Sequence, residues 1–349
     1  MTRRYPPLIG GAEKVLSYLA EALAREGAEV TVVTSRAPGT EHLPDAERIP
    51  LEGARAGGRL EVVRLTTSRL RFVGTWLYMR NLAHWLAAHR PDLAYVSMLK
   101  HDAYVAVRAG RRHGFPVVLR PEGAGATGDL AWQSWGNFGR TIGRTCREAD
   151  ALVAISKAVG DELLAAGYDP GRIHALPNGV PVPATAWQRR PDWRQAPRAV
   201  FVGRLAPEKN LAALIDAWPV VRQAFPAARL TLVGEGPERA ALETRARSHG
   251  LAVGPSQAIE LPGATSRVEG VLRESDLFVL PSTEEGMSIA LLEAMALGIP
   301  LVASSIPGNR RIVADFKHGR LAPPDDPNAL ARVITEQWSN FDRAFHMSR

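Results

Sequence analysis

Short apolar runs alternate with amphipathic helical patterns along this whole chain, and few architectures tolerate such an alternation. Runs at 30–34, 60–65, 93–97, 116–120, 151–155 and 172–176 read as strands. Helical patterns are predicted between them over 11–25, 69–89, 102–112, 129–148 and onward to about 166, with 36–58 left as loop. Parallel neighbours need a long crossover, usually a helix, so the pattern predicts parallel sheets wrapped by helices. A second series follows, with strands at 199–203, 230–233, 259–261, 277–280 and 301–303. Its helices are predicted at 211–225, up to about 249, and at 268–274, 287–297 and 328–338. Between the two series Pro181, Pro183, Pro191 and Pro197 interrupt any periodicity. That stretch reads as a linker. The expected organisation is α/β: a Rossmann-like doubly wound domain at 1–180, a linker at 181–197 and a second such domain at 198–349.

A length of 349 residues is enough for two such cores. No apolar run approaches the roughly eighteen residues of a membrane-spanning helix, and no secretory signal opens the sequence. Cys146 is the single cysteine, which rules out an internal disulfide framework and suits a reducing, cytoplasmic setting. The nine histidines show no metal-ligand spacing. The net charge is +7, and residues 1–180 carry five of those charges, which favours an anionic surface or acceptor near the first domain. No nucleic-acid recognition motif accompanies the charge, so nucleic acid is not expected as a partner. The helix at 72–86 leaves two readings open. Arg69, Arg71 and Arg80 flank Trp76, Tyr78 and Trp85, a pattern for peripheral contact with an anionic bilayer at the inner membrane face. The same aromatics would equally pack an ordinary helix onto its sheet.

The stretch from Glu284 to Pro300 carries the most chemistry. A helix is predicted from 287 to 297, closed by Gly298 and Pro300. Glu293 is its single ionisable side chain, and its neighbours at three and four residues are Ala290, Ile289, Ala296 and Leu297. A carboxylate on such a face needs a partner from elsewhere. Glu285 precedes the helix, at the lip of any pocket. The amides of Met287, Ser288 and Ile289 are the expected unpaired donors at the positive end of the dipole, where a phosphate can bind. Together they suggest a ligand bearing both phosphate and hydroxyl groups. The plainer reading is a core helix whose glutamate meets a backbone amide or a buried water.

Residues 285–304 read E-G-M-S-I-A-L-L-E-A-M-A-L-G-I-P-L-V-A-S. This resembles the donor-site motif of the retaining nucleotide-sugar glycosyltransferases of family 4, which have the two-domain GT-B fold with the domains facing across a cleft. Gly203-Arg204-Leu205-Ala206-Pro207-Glu208-Lys209 resembles the same family's G-R-L-x-x-x-K loop. The resemblance implies that Arg204 and Lys209 hold the donor diphosphate, a planar fork beside a mobile point charge. The chain has five lysines among 43 basic residues, so Arg would be the statistical expectation at position 209. Glu293 would take the ribose hydroxyls and Glu285 the donor-sugar hydroxyls. Gly10 and Gly11 match the family's glycine pair, Gly234 lies where the nucleobase stacks, Ser282 and Thr283 line the same wall, and Gly286 belongs to the motif. The implied catalytic set is Glu285, Arg204 and Lys209, acting on a nucleotide-diphosphate sugar with no cofactor and no obligatory metal. The implied acceptor is a glycan or a lipid-linked molecule.

Three departures and several rivals accompany that resemblance. An apolar strand normally leads into the P-x-x-G-G loop, here Pro7 to Gly11, and a long terminal helix normally crosses back. Both are expected to be missing. Where the family carries a histidine after its strand, this sequence reads Arg120-Pro121-Glu122-Gly123. Either Arg120 and Glu122 form a rebuilt acceptor subsite, or the match is shifted by a residue or two. Gly123 to Gly128 fits G-x-G-x-x-G, the pattern of a dinucleotide site, but it does not open the domain and no acid follows at the right distance. The rivals are therefore a truncated, non-catalytic nucleotide-sugar-binding relic, a nucleotide-sugar epimerase of the same fold, and an NAD oxidoreductase using 123–128.

Overall fold

The computed structural model describes residues 1–8, 10–37, 39–68, 70–125 and 128–348, without the side chain of Arg71. Arg69 and the Ala126-Thr127 step of the glycine pattern lie outside the described residues. The chain divides into two compact units, 1–8 with 12–179, and 9–11 with 180–349.

The first unit runs α1 (Gly11–Arg25), β1 (Glu29–Ser35), β2 (Ala46–Ile49), β3 (Arg59–Leu65), α2 (Arg71–His89), β4 (Ala94–Ser97), α3 (His101–His113) and β5 (Val117–Arg120). It continues with α4 (Asp129–Trp135), α5 (Gly139–Cys146), β6 (Ala151–Ala154), α6 (Lys157–Ala165) and β7 (Ile173–Ala175). The strands form a four-stranded parallel sheet, β4-β5-β6-β7, and a three-stranded sheet, β1-β3-β2. Thr2 N–H bonds to Val33 O at 3.1 Å and Ser97 N–H to Met1 O at 3.0 Å, so the first residues touch a strand of each sheet. β2 falls inside the expected loop 36–58. Its sequence, Ala-Glu-Arg-Ile, has no apolar alternation, because it is an antiparallel edge paired only with β3. The single helix expected over 129–148 is two, with Gly136 between them and Phe138 in the left-handed region at φ 58°.

Asp102, in the first turn of α3, is buried and accepts a hydrogen bond from Tyr78 Oη at 3.1 Å. Burial pushes its carboxyl up to about 6 from 3.8, against the pull of Arg3, Tyr78 and the Met1 ammonium. A carboxyl raised on folding favours the fold while protonated. That contribution is full below about pH 4 and is lost as pH rises through about 6. Asp102→Asn is therefore expected to stabilise the protein at pH 7.5 by up to roughly 3 kcal/mol and to leave it unchanged near pH 4. Urea titrations at the two pH values check this, and an equal effect at both contradicts it.

The second unit runs β8 (Arg198–Val202), α7 (Leu211–Ala224), β9 (Arg229–Val233), α8 (Arg239–Ser248), β10 (Ile259–Gly263), α9 (Val268–Arg273), β11 (Leu277–Leu280) and α10 (Ile289–Leu297). After these come β12 (Leu301–Ser304), α11 (Pro307–Arg310), β13 (Arg320–Ala322), α12 (Pro327–Ser339) and α13 (Phe341–Met347). Its six strands pair in the order β10-β9-β8-β11-β12-β13, every pair parallel. The chain therefore winds outward from β8 to β10, returns, and adds β11 to β13 on the other side. β8 and β11 are the neighbours at which the winding reverses, and a doubly wound sheet opens a crevice at the carboxyl ends of such a pair.

The stretch expected to be a linker is packed into this second unit. Trp187 is fully buried and Trp193 nearly so, both within its hydrophobic core. Arg190 pairs with the buried Asp276 at 2.7 Å, and the same carboxylate accepts Arg198 N–H at 2.8 Å. Proline-rich sequence without periodicity signals irregular backbone. Here that irregular backbone is anchored by its two tryptophans.

Candidate functional site

Two loops leave the carboxyl ends of β8 and β11. The first carries Gly203, Arg204 and a short 3-10 turn, Pro207–Lys209, closed by Asn210 in the left-handed region at φ 50°. The second carries Ser282 to Ser288. Thr283 N–H bonds to Glu208 O at 3.0 Å, tying the loops together. Gly234 fixes the first loop from behind at φ 146°, since a Cβ there would lie 1.8 Å from Gly203 O. Leu205 N–H bonds to Glu235 O, and Glu238 N–H to Leu205 O, both at 3.0 Å.

Across this junction Lys209 Nζ donates to Glu285 Oε1 at 2.7 Å, a contact between residues 76 apart in sequence. Ser282 Oγ donates to the same oxygen, also at 2.7 Å. The Glu285 side chain is only 7% exposed and that of Lys209 19%, so this is an ion pair largely withdrawn from water. Such a carboxylate requires its partners. Both bonds fall on Oε1. A lysine ammonium has three donor hydrogens, and Oε2 of Glu285 has no bond among the described residues, so each side chain keeps capacity for a ligand.

The scaffold beneath the pair was not legible in the sequence. Asn309 is fully buried, and its Nδ2 donates to Ser304 O at 3.0 Å and to Ser304 Oγ at 3.1 Å. Ser304 Oγ in turn donates to Ser282 O. At Gly308 a Cβ would lie 2.2 Å from Glu285 O, so only glycine allows this approach. Asn309 and Gly308 sit in a short helix whose sequence, Pro-Gly-Asn-Arg, reads as a turn.

Two expectations shift. α10 begins at Ile289, two residues later than predicted, because Ser288 caps it, its Oγ accepting from Leu291 N–H at 3.3 Å. Of the amides at Met287, Ser288 and Ile289, only that of Ile289 lies in the helix's first turn. Gly286 and Met287 belong to the loop before it. Glu293 is half-buried on α10, one turn beyond the cap. Arg204 is exposed, and its side chain has no hydrogen bond or ion pair among the described residues, while its backbone carbonyl accepts from Ala206 N–H at 3.0 Å. Gly10 precedes α1 and Gly11 opens it.

In the first unit the expected acceptor residues meet at the carboxyl ends of β4 and β5. Arg120 is buried, pairs with Glu122 and donates to Asn178 Oδ1 at 2.5 Å. Ser97 Oγ donates to the same Glu122 carboxylate. Burial raises the pKa of Glu122 above the usual carboxylate range, opposed chiefly by Arg120. The glycine loop after β5 is ill suited to a diphosphate. Gly125 N–H is taken by Glu162 Oε1 at 2.7 Å and Glu122 N–H by Asp129 Oδ2 at 2.8 Å, so carboxylates already hold these amides.

Among the described residues no three His, Cys, Asp or Glu side chains could hold a metal ion, and no helix is long and apolar enough to cross a membrane. Residues 9–182 match the model described as Glycosyltransferase Family 4, and 196–340 that described as Glycosyl transferases group 1. A glycogen synthase of Mycobacterium tuberculosis is 30% identical over 95% of this chain and 83% of its own length. A phosphatidyl-myo-inositol mannosyltransferase of the same organism is 34% identical over 46% of this chain and 42% of its own. Among solved structures, Anabaena Alr3699/HepE in complex with UDP-glucose superposes with a TM-score of 0.75 at 19% identity, covering 99% of this chain and 91% of that one.

Proposed function

From its membership of family 4 of the GT-B glycosyltransferases, to which this chain belongs, we propose that it transfers a sugar from a nucleotide-diphosphate donor to a glycan or lipid-linked acceptor, with retention at the anomeric carbon. The observation that carries this reading is the Lys209–Glu285 pair at the point where the second unit's sheet reverses. One charge of each sign, both withdrawn from water, suits a donor with phosphates at one end and hydroxyls at the other. Lys209 and Arg204 face the diphosphate, Glu285 accepts from hydroxyls of the transferred sugar, and Glu293 accepts from those of the ribose. The amides at the start of α10 add the positive end of a helix.

In the step itself the acceptor oxygen attacks the anomeric carbon on the face from which the diphosphate departs. The bond from that carbon to the phosphate oxygen breaks, its electron pair leaves with the diphosphate, and a phosphate oxygen takes the acceptor's proton. Charge grows on the leaving group, where Lys209 and Arg204 stabilise it, so we assign that task to them and not to an obligatory metal. Arg120 and Glu122 are assigned to the acceptor, as a donor and an acceptor of hydrogen bonds to its hydroxyls.

A panel of nucleotide sugars screened for thermal stabilisation identifies the donor. Glu293→Gln is then expected to weaken binding of the matching nucleoside diphosphate about tenfold to a hundredfold by calorimetry, the range of one charged hydrogen bond. Unchanged affinity removes the ribose assignment. Release of an altered sugar nucleotide without acceptor overturns transfer.

A further inference from the structure

Two segments of the first unit contain no acidic residue at all: 62–91, which includes α2, and 130–147, which includes most of α4 and all of α5. The same segments hold the most exposed aromatics of that unit. Phe72 is 73% exposed, Trp76 60%, Trp135 71% and Phe138 80%, with Leu70 at 68%. Tyr78 and Trp85, which the sequence grouped with Trp76, point the other way: Tyr78 is buried, and Trp85 packs against the core.

Arg3, bonded to Thr75 on α2 and close enough to His101 to add to burial in lowering its pKa, stands between the two groups. Arg80 lies over the Trp76 ring at 5.7 Å and Lys100 over the Trp132 ring at 5.5 Å. Arg3 donates to Thr75 Oγ1 at 3.4 Å. His101 stands edge-on to Trp132 at 5.4 Å, and Trp132 to Trp135 at 6.4 Å. Arg140 and Arg144 are exposed on α5. The acids in the first turns of α3 and α4, Asp102 and Asp129, are both buried. Burial, then Arg3 and Lys100, push the His101 pKa down, so the charge of the face near neutral pH comes from Lys and Arg.

We propose that this face docks on the surface of an anionic lipid bilayer. Leu70, Phe72, Trp76, Trp135 and Phe138 enter the interface between headgroups and acyl chains, and the surrounding Arg and Lys side chains meet the lipid phosphates. Charge complementarity selects this occupant. A glycan platform would set carboxylates beside its aromatic rings to accept from hydroxyls, whereas neither segment holds an acidic residue; Asn137 is an exposed amide between Trp135 and Phe138, and the charged side chains around the rings are cations. A second copy of the same basic face would bring like charges together. Amphipathic surfaces of this kind bind by apolar burial plus attraction to anionic headgroups. The inference does not rest on the transfer reaction.

The test is sedimentation of the full chain with vesicles of phosphatidylcholine alone, and with vesicles of equal parts phosphatidylcholine and phosphatidylglycerol, at low and high salt. Binding is expected to the mixed vesicles, weakened by salt. The pairs Phe72→Ser with Trp76→Ser, and Trp135→Ser with Phe138→Ser, should each lower partitioning by about tenfold or more. Their melting temperatures should not change, because these side chains are exposed. Absence of binding at low salt, equal binding to the neutral vesicles, or undiminished binding by both pairs overturns the proposal. So does a self-association, seen by ultracentrifugation, that the substitutions abolish.

Discussion

Replacing Lys209 with alanine is expected to lower turnover about a hundredfold to a thousandfold, the usual loss when one preorganised donor at a developing negative charge is removed. Two effects combine. The leaving diphosphate loses a cation held in place by the turn Pro207–Lys209, and Glu285 keeps only Ser282 as partner in a site with little water. A buried carboxylate left without its cation is costly, so the variant should also melt at a lower temperature. Ser282→Ala separates the two. It leaves the cation and the ion pair standing and removes one charge-assisted hydrogen bond worth about 1.5–3 kcal/mol to the carboxylate, so turnover should fall less than in Lys209→Ala. Both are read from initial rates with the donor that the thermal screen identifies. Turnover of the Lys209→Ala protein close to that of the parent contradicts the assigned role.

The parts of this site that were legible in the sequence are those carried by strand ends and by formal charge. Apolar runs announced β8 and β11; Lys209 stands out by its match to the G-R-L-x-x-x-K loop, where Arg is the statistical expectation, and Glu285 by the motif it opens ahead of a helix. Their meeting depends on strand order, which local periodicity does not encode: β8 and β11 are separated in sequence by two other strands. The cap at Ser288 was missed because Met287 is a good helix former, and the sequence alone does not show whether a serine hydroxyl will bond back to the backbone. Asn309 was invisible for a related reason. Its value lies in two hydrogen bonds to Ser304, and a single amide in a turn-like sequence gives no sign of being buried. The linker reading failed on burial too. Pro181, Pro183, Pro191 and Pro197 read as a linker, but Trp187 and Trp193 among them are buried in the core, since large aromatics rarely stay in water when a core lies within reach.

Trp187→Ala is expected to be the most damaging single change outside the site, costing about 3–5 kcal/mol by the measure of large-to-small core substitutions. Its indole is fully buried, and Nε1 donates to Ser275 O at 2.9 Å. Its ring meets Phe341 and Phe345 of α13 at 6.2 and 5.9 Å between centroids. Truncation opens a cavity and leaves the Ser275 carbonyl without that donor. For a unit of this size each kcal/mol shifts the melting temperature by about 2–4 °C, so a fall of about 6–20 °C should appear by calorimetry. The consequence reaches the nucleotide site through the backbone. Trp187 N–H bonds to Leu297 O at 2.7 Å, and Leu297 is the last residue of α10, the helix that carries Glu293. Losing the tryptophan loosens the irregular segment that holds that helix end, so nucleoside diphosphate affinity should fall together with stability. Trp193, stacked on Phe341 at 4.0 Å, lacks a bond to α10 and provides the comparison. Trp193→Ala should destabilise the unit while leaving affinity nearly intact. Equal losses of affinity in the two variants would show that the effect is general softening and not a tether on α10.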